Sequence, residues 1–324
     1  MNTDALRYIH ASLAPNSRNT YKSGWRSYIY FCNCNFLPPI PVTEQNLIYF
    51  CTHSANRKIT HGTILVYLTA INYFCQTTGF PVNTTGMNRL YHLLRGIRRT
   101  QGNSLTRPRR QPITLNHLTS LRYYLFIHYK SDHLMLWCAS TMAFFGLLRS
   151  SEYCAPGPST LTDSTLMIQD VHLSDHSEYL SIQIKASKTD PFRKGITINL
   201  FKINSPFCPV EAAVAFMDSR RHSSGPFFQF CNGTYLTRTA VASILRNAFY
   251  PSVTINTHSF RIGGASAAAS AGLPDSVVQT LGRWSSDCFR RYIRTNAQDL
   301  RRYHQSMASA KSSKSWDKIR LSSS

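Results

Sequence analysis

The residues near the carboxyl end of this sequence include the types that could break a phosphodiester bond without a metal ion. His258 and Arg261 lie three residues apart at the start of a predicted helix, so both side chains face one pocket. Tyr292, farther along, supplies a phenol that could act as a nucleophile. Cations favour such an attack because they stabilise the charge that collects on the phosphate oxygens. A cationic pocket with one phenol therefore indicates phosphoryl transfer through a tyrosine.

Arg149 is a second cation, which the sequence places at the rim of a buried helix. It follows a strongly apolar run, predicted as a helix over 134–148, which must lie in the core. An arginine at a helix C-terminus is also favourable without any catalytic role, because it compensates the helix dipole. Glu152, three residues later, could orient Arg149. Together with Arg261, this arginine could donate paired hydrogen bonds to the two non-bridging oxygens of a phosphate.

Short predicted elements would have to position these residues. Three helices carry the segment from His258 to Tyr292, with a break at 272–274, and Tyr292 lies on the third. Alternating and β-branched residues earlier in the chain predict three short strands. The other elements predicted in this part are helices over 114–129, 209–221, 236–250 and 296–307 and strands over 159–169, 179–184 and 196–200.

The amino-terminal part of the chain shows a helical period of apolar residues that begins at Asn16. The period predicts four helices, which start near residues 16, 43, 60 and 87, whereas residues 1–15 show no clear pattern. The third runs from about Thr60 to Thr78, and Gly79 marks its end. These four helices predict a small all-α domain.

A segment rich in Gly, Ser, Pro and Arg, over 100–112, has no apolar period and predicts a linker between two domains. Guanidinium groups on this linker and just before it could contact the backbone phosphates of DNA. These predicted DNA-binding residues are Arg95, Arg98, Arg99, Arg107, Arg109 and Arg110. A solvated linker that only keeps the protein soluble is the alternative explanation.

The net charge favours a polyanionic partner. Lys and Arg number 36 against 15 Asp and Glu, a formal charge of +21, and nucleic acid is the first candidate. A hydrophobic content of 43% is enough for a real core among the 324 residues. No apolar run approaches the roughly 18 residues that span a bilayer, so we expect no membrane partner.

Cysteine and histidine usage predicts an intracellular protein without a metal site. The nine cysteines are an odd number and, like the twelve histidines, are scattered along the chain. Cys32 and Cys34 form the one close pair, and no companion pair stands at zinc-site spacing. We expect reduced thiols and no bound metal. The first residues do not have the pattern of a signal peptide.

The order of these motifs resembles the C-terminal signature of tyrosine recombinases: H-x-x-R, a Trp or His after a glycine, and a Tyr eight or nine residues later. The sequence is most similar here to recombinases of DIRS and Ngaro retrotransposons and of Crypton transposons, in the segments HSFRIGGAS, GLPD and LGRWSSDCFRRYIRT. Signature and flanks span 257–295, and matches upstream extend the resemblance over most of the chain. A lone H-x-x-R would be weak, whereas the ordered set is specific.

The resemblance implies a two-domain fold that is mainly α with a small antiparallel β-sheet. An N-terminal four-helix core-binding domain would cover 1–99, followed by the basic linker over 100–112. An α+β catalytic domain would cover 113–308. The Ser- and Lys-rich composition of 309–324 predicts a disordered tail.

The resemblance also implies a catalytic set. Arg149 occupies the slot of the first catalytic arginine, with Glu152 as its partner. The hairpin between the last two strands should supply a catalytic lysine; Lys188 fits best, Lys185 is the alternative and Lys194 fits less well. The GRWSS sequence favours Trp284 over Arg283 as the residue that lines the pocket, but the spacing to Tyr292 leaves both open. The full expected set is Arg149, Lys188, His258, Arg261, Trp284 and Tyr292.

The activity implied is site-specific recombination for a mobile element, through a 3′-phosphotyrosyl intermediate and without metal, ATP or another cofactor. The expected partners are double-stranded DNA and further copies of this chain, as a tetramer on DNA. The nucleus is the expected location in a eukaryote and the cytoplasm otherwise. The alternatives are relaxation of DNA by a type IB topoisomerase-like enzyme and a non-catalytic DNA-binding protein derived from a recombinase.

Overall fold

The computed structural model describes residues 3–309 except 83, 85, 103–107, 187–189, 191, 252–253 and 296. The chain divides into two compact units, residues 1–108 and 109–324. The architecture is mainly helical with one small antiparallel sheet, which confirms the predicted fold class. Arg107, Lys188 and the predicted tail beyond residue 309 lie outside the described residues.

The first unit consists of helices, several of whose ends are marked by capping residues. Thr43 and Thr60 each accept a hydrogen bond from a backbone N–H of the first helical turn, as N-caps do. Gly79 ends the fourth helix with φ of 88°, a left-handed conformation that glycine adopts without strain. The helices are α1 (Thr3–Ala11), α2 (Pro15–Cys34), α3 (Glu44–Asn56), α4 (His61–Thr78) and α5 (Asn88–Gln101).

All four helices predicted for the amino-terminal part are present, but α1 precedes them where no helix was expected. This helix is nine residues long and lies in the stretch without a clear apolar period. Helices of this length are marginal in water and depend on tertiary contacts. The Tyr73 hydroxyl on α4 donates a hydrogen bond to the carbonyl oxygen of Ile9 at 3.2 Å, which provides such a contact.

The second unit contains the remaining helices and the sheet. These are α6 (Leu115–His128), α7 (His133–Phe145), α8 (Ser150–Tyr153), β1 (Val171–Leu173), β2 (Tyr179–Ile184), β3 (Ile196–Phe201), α9 (Pro209–Ser219), α10 (Arg238–Ala248), α11 (His258–Ser270), α12 (Asp275–Gly282) and α13 (Ala297–Ser309). Every residue of α7 from Met135 to Phe144 is buried, as its all-round apolar sequence predicted. α7 ends at Phe145, before the predicted end at residue 148, so Arg149 lies at the start of α8 and not at the C-terminus of α7.

The sheet has the order β1-β2-β3, and both neighbouring pairs are antiparallel. β2 and β3 lie where they were predicted. The strand predicted over 159–169 is wrong, because the first strand begins only at Val171. In the predicted segment, the Thr165 hydroxyl accepts a hydrogen bond from the Thr162 backbone at 2.9 Å. Such side-chain bonds compete with a strand ladder and favour turns.

The third helix predicted around Tyr292 is also wrong. The segment Asp287–Arg291 forms a short 3-10 turn, and Tyr292 follows it. Contacts with α11 determine this geometry: the Ser266 hydroxyl donates to the carbonyl of Tyr292 at 3.2 Å and accepts from the backbone N–H of Arg294 at 2.9 Å. Phe289, which is 1% exposed, anchors the turn in a small apolar cluster.

Candidate active site

Two glycines bring α11 into close contact with its neighbours. A Cβ on Gly263 would clash with the carbonyl oxygen of Ile113, and one on Gly264 would clash with the carbonyl oxygen of Phe144 at the end of α7. The backbone N–H of Ile113 also donates to the Ser259 carbonyl at 3.0 Å. This close approach places the first turn of α11, with His258 and Arg261, beside the residues that follow α7.

Arg149 follows a tight turn after α7. Leu147 in that turn has φ of 45°, an uncommon conformation for a residue with a side chain, and it is buried. The Arg149 guanidinium donates through Nη1 to Glu152 Oε1 at 2.9 Å, and its backbone N–H donates to Glu152 Oε2 at 2.9 Å. Glu152 has no exposed side-chain surface, whereas Arg149 keeps 15%. The carboxylate therefore orients an arginine that still reaches the surface.

Arg261 is fully buried and donates to backbone carbonyls. Its Nη1 donates to the Leu147 carbonyl oxygen, and its Nη2 donates to the Gly282 carbonyl oxygen at 2.5 Å. Burial lowers the pKa of Arg261 to about 10, and the positive charges of Arg149 and Arg283 act in the same direction. The guanidinium remains charged at neutral pH.

Tyr292 lies between two aromatic rings above this arginine. Its ring centroid is 4.9 Å from that of Trp284 and 5.2 Å from that of His258. The Arg261 guanidinium carbon is 4.3 Å from the Trp284 ring centroid and 5.6 Å from the Tyr292 ring centroid. Gly282 leaves room for the indole, because a Cβ there would clash with the Trp284 ring. Four residues expected in the catalytic set thus lie together.

His258 is neutral at physiological pH in this environment. Burial lowers its pKa from 6.5 to about 4, and the positive charges of Arg110, Arg261, Arg149 and Arg238 act in the same direction. A neutral imidazole has one nitrogen that can accept a proton or a hydrogen bond and one that can donate. His258 can therefore accept a proton from a phenol or hold a phosphate oxygen.

Trp284 and Arg283, the two alternatives for the same role, point in different directions. Trp284 contacts Tyr292, whereas Arg283 donates through Nη2 to Glu152 Oε2 at 2.8 Å. Arg283 has φ of 55° and ends α12, so its backbone turns the two successive side chains apart. In this geometry Trp284 lines the side of the pocket that holds Tyr292.

Solved structures with the same architecture come from DNA recombinases. No protein-family model matches the chain, and no curated protein sequence does so. XerH site-specific recombinase bound to a palindromic difH substrate aligns with a TM-score of 0.61 at 15% identity, over 90% of this chain and 78% of that chain. The Tn1549 transposon integrase in complex with transposon right-end DNA aligns with a TM-score of 0.58 at 14% identity, over 89% of this chain and 93% of that chain. A lambda integrase dimer bound to a core site aligns with a TM-score of 0.57 at 13% identity, over 89% of this chain and 75% of that chain. The chain has the tyrosine-recombinase fold.

The lysines of the β2–β3 hairpin occupy different settings in this recombinase fold. Lys188, the expected catalytic lysine, lies outside the described residues. Lys185, the alternative, forms an ion pair with Asp170 at 2.7 Å between Nζ and Oδ2. Asp170 is buried and also accepts a hydrogen bond from the Met167 backbone at 2.7 Å. Lys185 thus compensates a buried carboxylate next to the sheet.

The arginines predicted to bind DNA are exposed wherever the structure describes them. Arg95, Arg98 and Arg99 are exposed at the end of α5 in the first unit. Arg109 and Arg110 are exposed in the second unit, and the charge of Arg110 lowers the pKa of His258, so it lies near the candidate site. Exposed guanidinium groups can contact phosphates without rearrangement.

Two arginines near the site have contacts that the sequence did not indicate. Arg238 begins α10 and lowers the pKa of His258 through its charge, although the sequence showed it only as one polar residue of a predicted helix. Arg283 contacts Glu152 rather than Tyr292. No spacing pattern links these arginines to their neighbours, because each contact joins residues far apart in the chain.

Metal-ligand clusters and membrane-spanning helices are both absent from the described residues. No group of three or more His, Cys, Asp or Glu residues among them has the geometry to hold a metal ion. No helix among them combines the length and apolar character needed to cross a bilayer.

Proposed function

We propose that the chain cuts and rejoins DNA strands as a site-specific recombinase of a mobile element, with Tyr292 as its nucleophile. The observation that carries this proposal is the position of Tyr292 between the rings of His258 and Trp284, above the buried charge of Arg261. The tyrosine-recombinase fold supports the reaction class. The sequence of residues 281–295 resembles recombinases of DIRS, Ngaro and Crypton elements, and this resemblance supports a role in a mobile element.

In the proposed reaction the Tyr292 oxygen attacks the phosphorus of a DNA phosphodiester. The phenol proton passes to His258, which is neutral and can accept it. A bond forms between phosphorus and the tyrosine oxygen, and the bond to the 5′ oxygen breaks. Lys188 donates a proton to that leaving oxygen. The product is a 3′-phosphotyrosyl link, which retains the bond energy so that a 5′-hydroxyl from another strand can reverse the step without ATP.

The arginines would stabilise the transition state. Arg149, with 15% of its side chain exposed, can donate to one non-bridging oxygen in its present position. Arg261 is covered by aromatic rings, so its contact with a phosphate requires the Tyr292 ring to move aside. The Nε of Arg261 and the Nε1 of Trp284 are buried and have no hydrogen-bond partner among the described residues. Incoming phosphate oxygens would supply acceptors for these donors.

Double-stranded DNA is the proposed partner, and the exposed arginines of both units are proposed to bind its phosphates. Exchange of two duplexes requires four strands to be cut, so we propose a tetramer of this chain on DNA. No metal or other cofactor enters the proposed steps. Because the proposed substrate is DNA, we propose that the protein acts in the nucleus in a eukaryotic host and in the cytoplasm otherwise.

Covalent trapping tests the proposal. The protein is incubated with EDTA and a duplex from the ends of its own element, nicked near the expected crossover, and then denatured with detergent. We expect a DNA-linked band for wild type and for the control Tyr303→Phe, and none for Tyr292→Phe. A band that survives in Tyr292→Phe would identify another nucleophile. Intact DNA binding with no band in any variant would favour the non-catalytic alternative.

Strand exchange separates the recombinase from the topoisomerase-like alternative. Two labelled duplexes that carry the element ends are mixed with wild-type protein, and supercoiled plasmid is treated in parallel. Joined products from both duplexes are expected. Relaxed plasmid together with a covalent band, but without joined products, would instead support topoisomerase-like chemistry.

A further inference from the structure

Glu152 is a fully buried carboxylate that two arginines share. Its Oε1 accepts from Arg149 Nη1 at 2.9 Å, while its Oε2 accepts from the Arg149 backbone N–H at 2.9 Å and from Arg283 Nη2 at 2.8 Å. A buried charge is costly unless it is paired and hydrogen-bonded. Both arginines therefore contribute to holding this carboxylate in one place.

Arg283 also supports the turn that carries Arg149. Its Nη1 donates to the Gly146 carbonyl oxygen at 3.0 Å, and its Nη2 lies 3.4 Å from the Leu147 carbonyl oxygen. Arg261 donates to that same Leu147 carbonyl. Carbonyls just beyond a helix end lack helical partners, so donors from elsewhere in the fold can determine the path of the turn.

These contacts join three parts of the second unit that are distant in sequence. Arg283 comes from the end of α12, Glu152 lies in α8, and the turn follows α7. The side chain of Arg283 keeps 10% exposure. Its two terminal nitrogens donate to Glu152 and the carbonyls, while its buried Nε has no hydrogen-bond partner among the described residues. Trp284, the next residue, contacts Tyr292 instead.

We propose that Arg283 is a positioning residue, which holds Glu152 and the 146–147 turn so that Arg149 meets the scissile phosphate in the right orientation. Arg283 itself does not touch DNA. The inference rests on the proposed strand-cutting function. Its physical basis is that without Arg283 the buried carboxylate has one cation left, which draws the Arg149 guanidinium inward and frees the turn.

A double-mutant cycle tests the proposal with Arg283→Met, Glu152→Gln and the double variant. The rate of covalent adduct formation is measured in single turnover at saturating nicked DNA, together with the DNA dissociation constant at several salt concentrations. We expect Arg283→Met to slow adduct formation about 10- to 100-fold, the usual size of an effect through a supporting residue. The dissociation constant and its salt dependence should stay unchanged. In the Glu152→Gln background the same substitution should slow adduct formation less, because the part of its action that passes through the carboxylate is already lost.

Arg283→Lys provides a variant with milder effects on folding. Lysine keeps the charge beside Glu152 but cannot also span to the Gly146 carbonyl, so an intermediate rate is expected. The melting temperature and the folded fraction are measured for every variant, and rates are expressed per folded molecule. A wild-type rate per folded molecule in Arg283→Met would show a purely structural role and would overturn the proposal.

Other outcomes also decide the question. Weaker binding of Arg283→Met with a salt slope reduced by about one would make Arg283 a direct phosphate ligand. Additive losses in the double variant would exclude action through Glu152. If wild-type protein forms no adduct, the proposed strand-cutting function fails first and the role of Arg283 with it. If wild type forms the adduct and Arg283→Met matches it, only the positioning role fails.

Discussion

The buried arginines of the second unit and the exposed arginines of α5 carry the same charge in different surroundings. Arg261 is fully buried, and Arg149 and Arg283 expose 15% and 10% of their side chains. Each of the three donates to a carboxylate or a backbone carbonyl. Arg98 and Arg99 are exposed at the last turn of α5.

The difference teaches how charge is used in this chain. A buried guanidinium has its orientation determined by its acceptors, so its function depends on geometry and a lysine cannot fully replace it. An exposed guanidinium contributes mainly charge to the binding of a polyanion. Substitutions in the two groups should therefore affect different measurements, rate and stability in one and salt-dependent affinity in the other.

Arg261→Lys should give the largest effect. Lysine keeps the charge but cannot serve the Leu147 and Gly282 carbonyls together, so adduct formation should slow by about 1,000-fold. The free energy of unfolding should fall by about 1–3 kcal/mol because a buried acceptor loses its donor. Single-turnover trapping and denaturant unfolding measure the two effects, and Arg98→Lys is the exposed control. Equal losses in both variants would contradict the distinction between buried and exposed arginines.

Lys188→Ala should slow adduct formation about 100-fold, because the leaving 5′ oxygen then lacks its proton donor. DNA with sulfur at the leaving position should restore the rate, since a thiol has a far lower pKa than an alcohol and leaves without protonation. Lys185→Ala is the matched control, which breaks the ion pair with buried Asp170 and should lower stability without such rescue. Rescue of Lys185→Ala alone would make Lys185 the general acid.

The free energy of unfolding should fall as the pH is lowered from 6.5 to 4. Over this interval the unfolded chain binds a proton at His258 that the folded chain excludes, because burial and nearby arginines lower its folded pKa to about 4. Urea unfolding of wild type and His258→Gln at pH 7.5 and 5 measures the contribution. The variant should lose less stability on acidification, and an equal loss would contradict the lowered pKa.

Removal of the exposed charge of Arg110 tests how much of the pH dependence of the free energy of unfolding comes from charge and how much from burial. Arg110 is the first of the arginines whose charge lowers the pKa of His258, after burial. Arg110→Gln should therefore reduce the pH dependence less than His258→Gln does, because burial remains. A loss of pH dependence as complete as in His258→Gln would make charge, rather than burial, the main cause.

Exposed arginines of α5 should show the smallest effects, and only on binding. Arg98→Gln and Arg99→Gln should each weaken DNA binding to a similar degree on every sequence and reduce the salt slope by about one. Adduct formation at saturating DNA and the melting temperature should stay unchanged. A slower rate at saturation would place these arginines in the catalytic step and remove the contrast with Arg261.

Local hydrogen bonds explain which elements were predictable. Thr43, Thr60 and Thr114 cap helices that begin where their sequences indicated, because a cap bond joins residues three apart. The turn around Tyr292 was predicted as a helix, because its contacts with Ser266 cross 26 to 28 residues. Such contacts leave no periodic signal in the segment itself.

The sequence by itself determined the elements whose reasons are local: the capped helices, the buried apolar helix α7, and the spacing that puts His258 and Arg261 on one face of α11. Only the tertiary structure decided that Trp284 contacts Tyr292 while Arg283 binds Glu152. A sequence pattern does not distinguish which of these two adjacent residues lines the pocket. The left-handed backbone at Arg283 and the space at Gly282 separate them, and both depend on how α12 meets the end of α7.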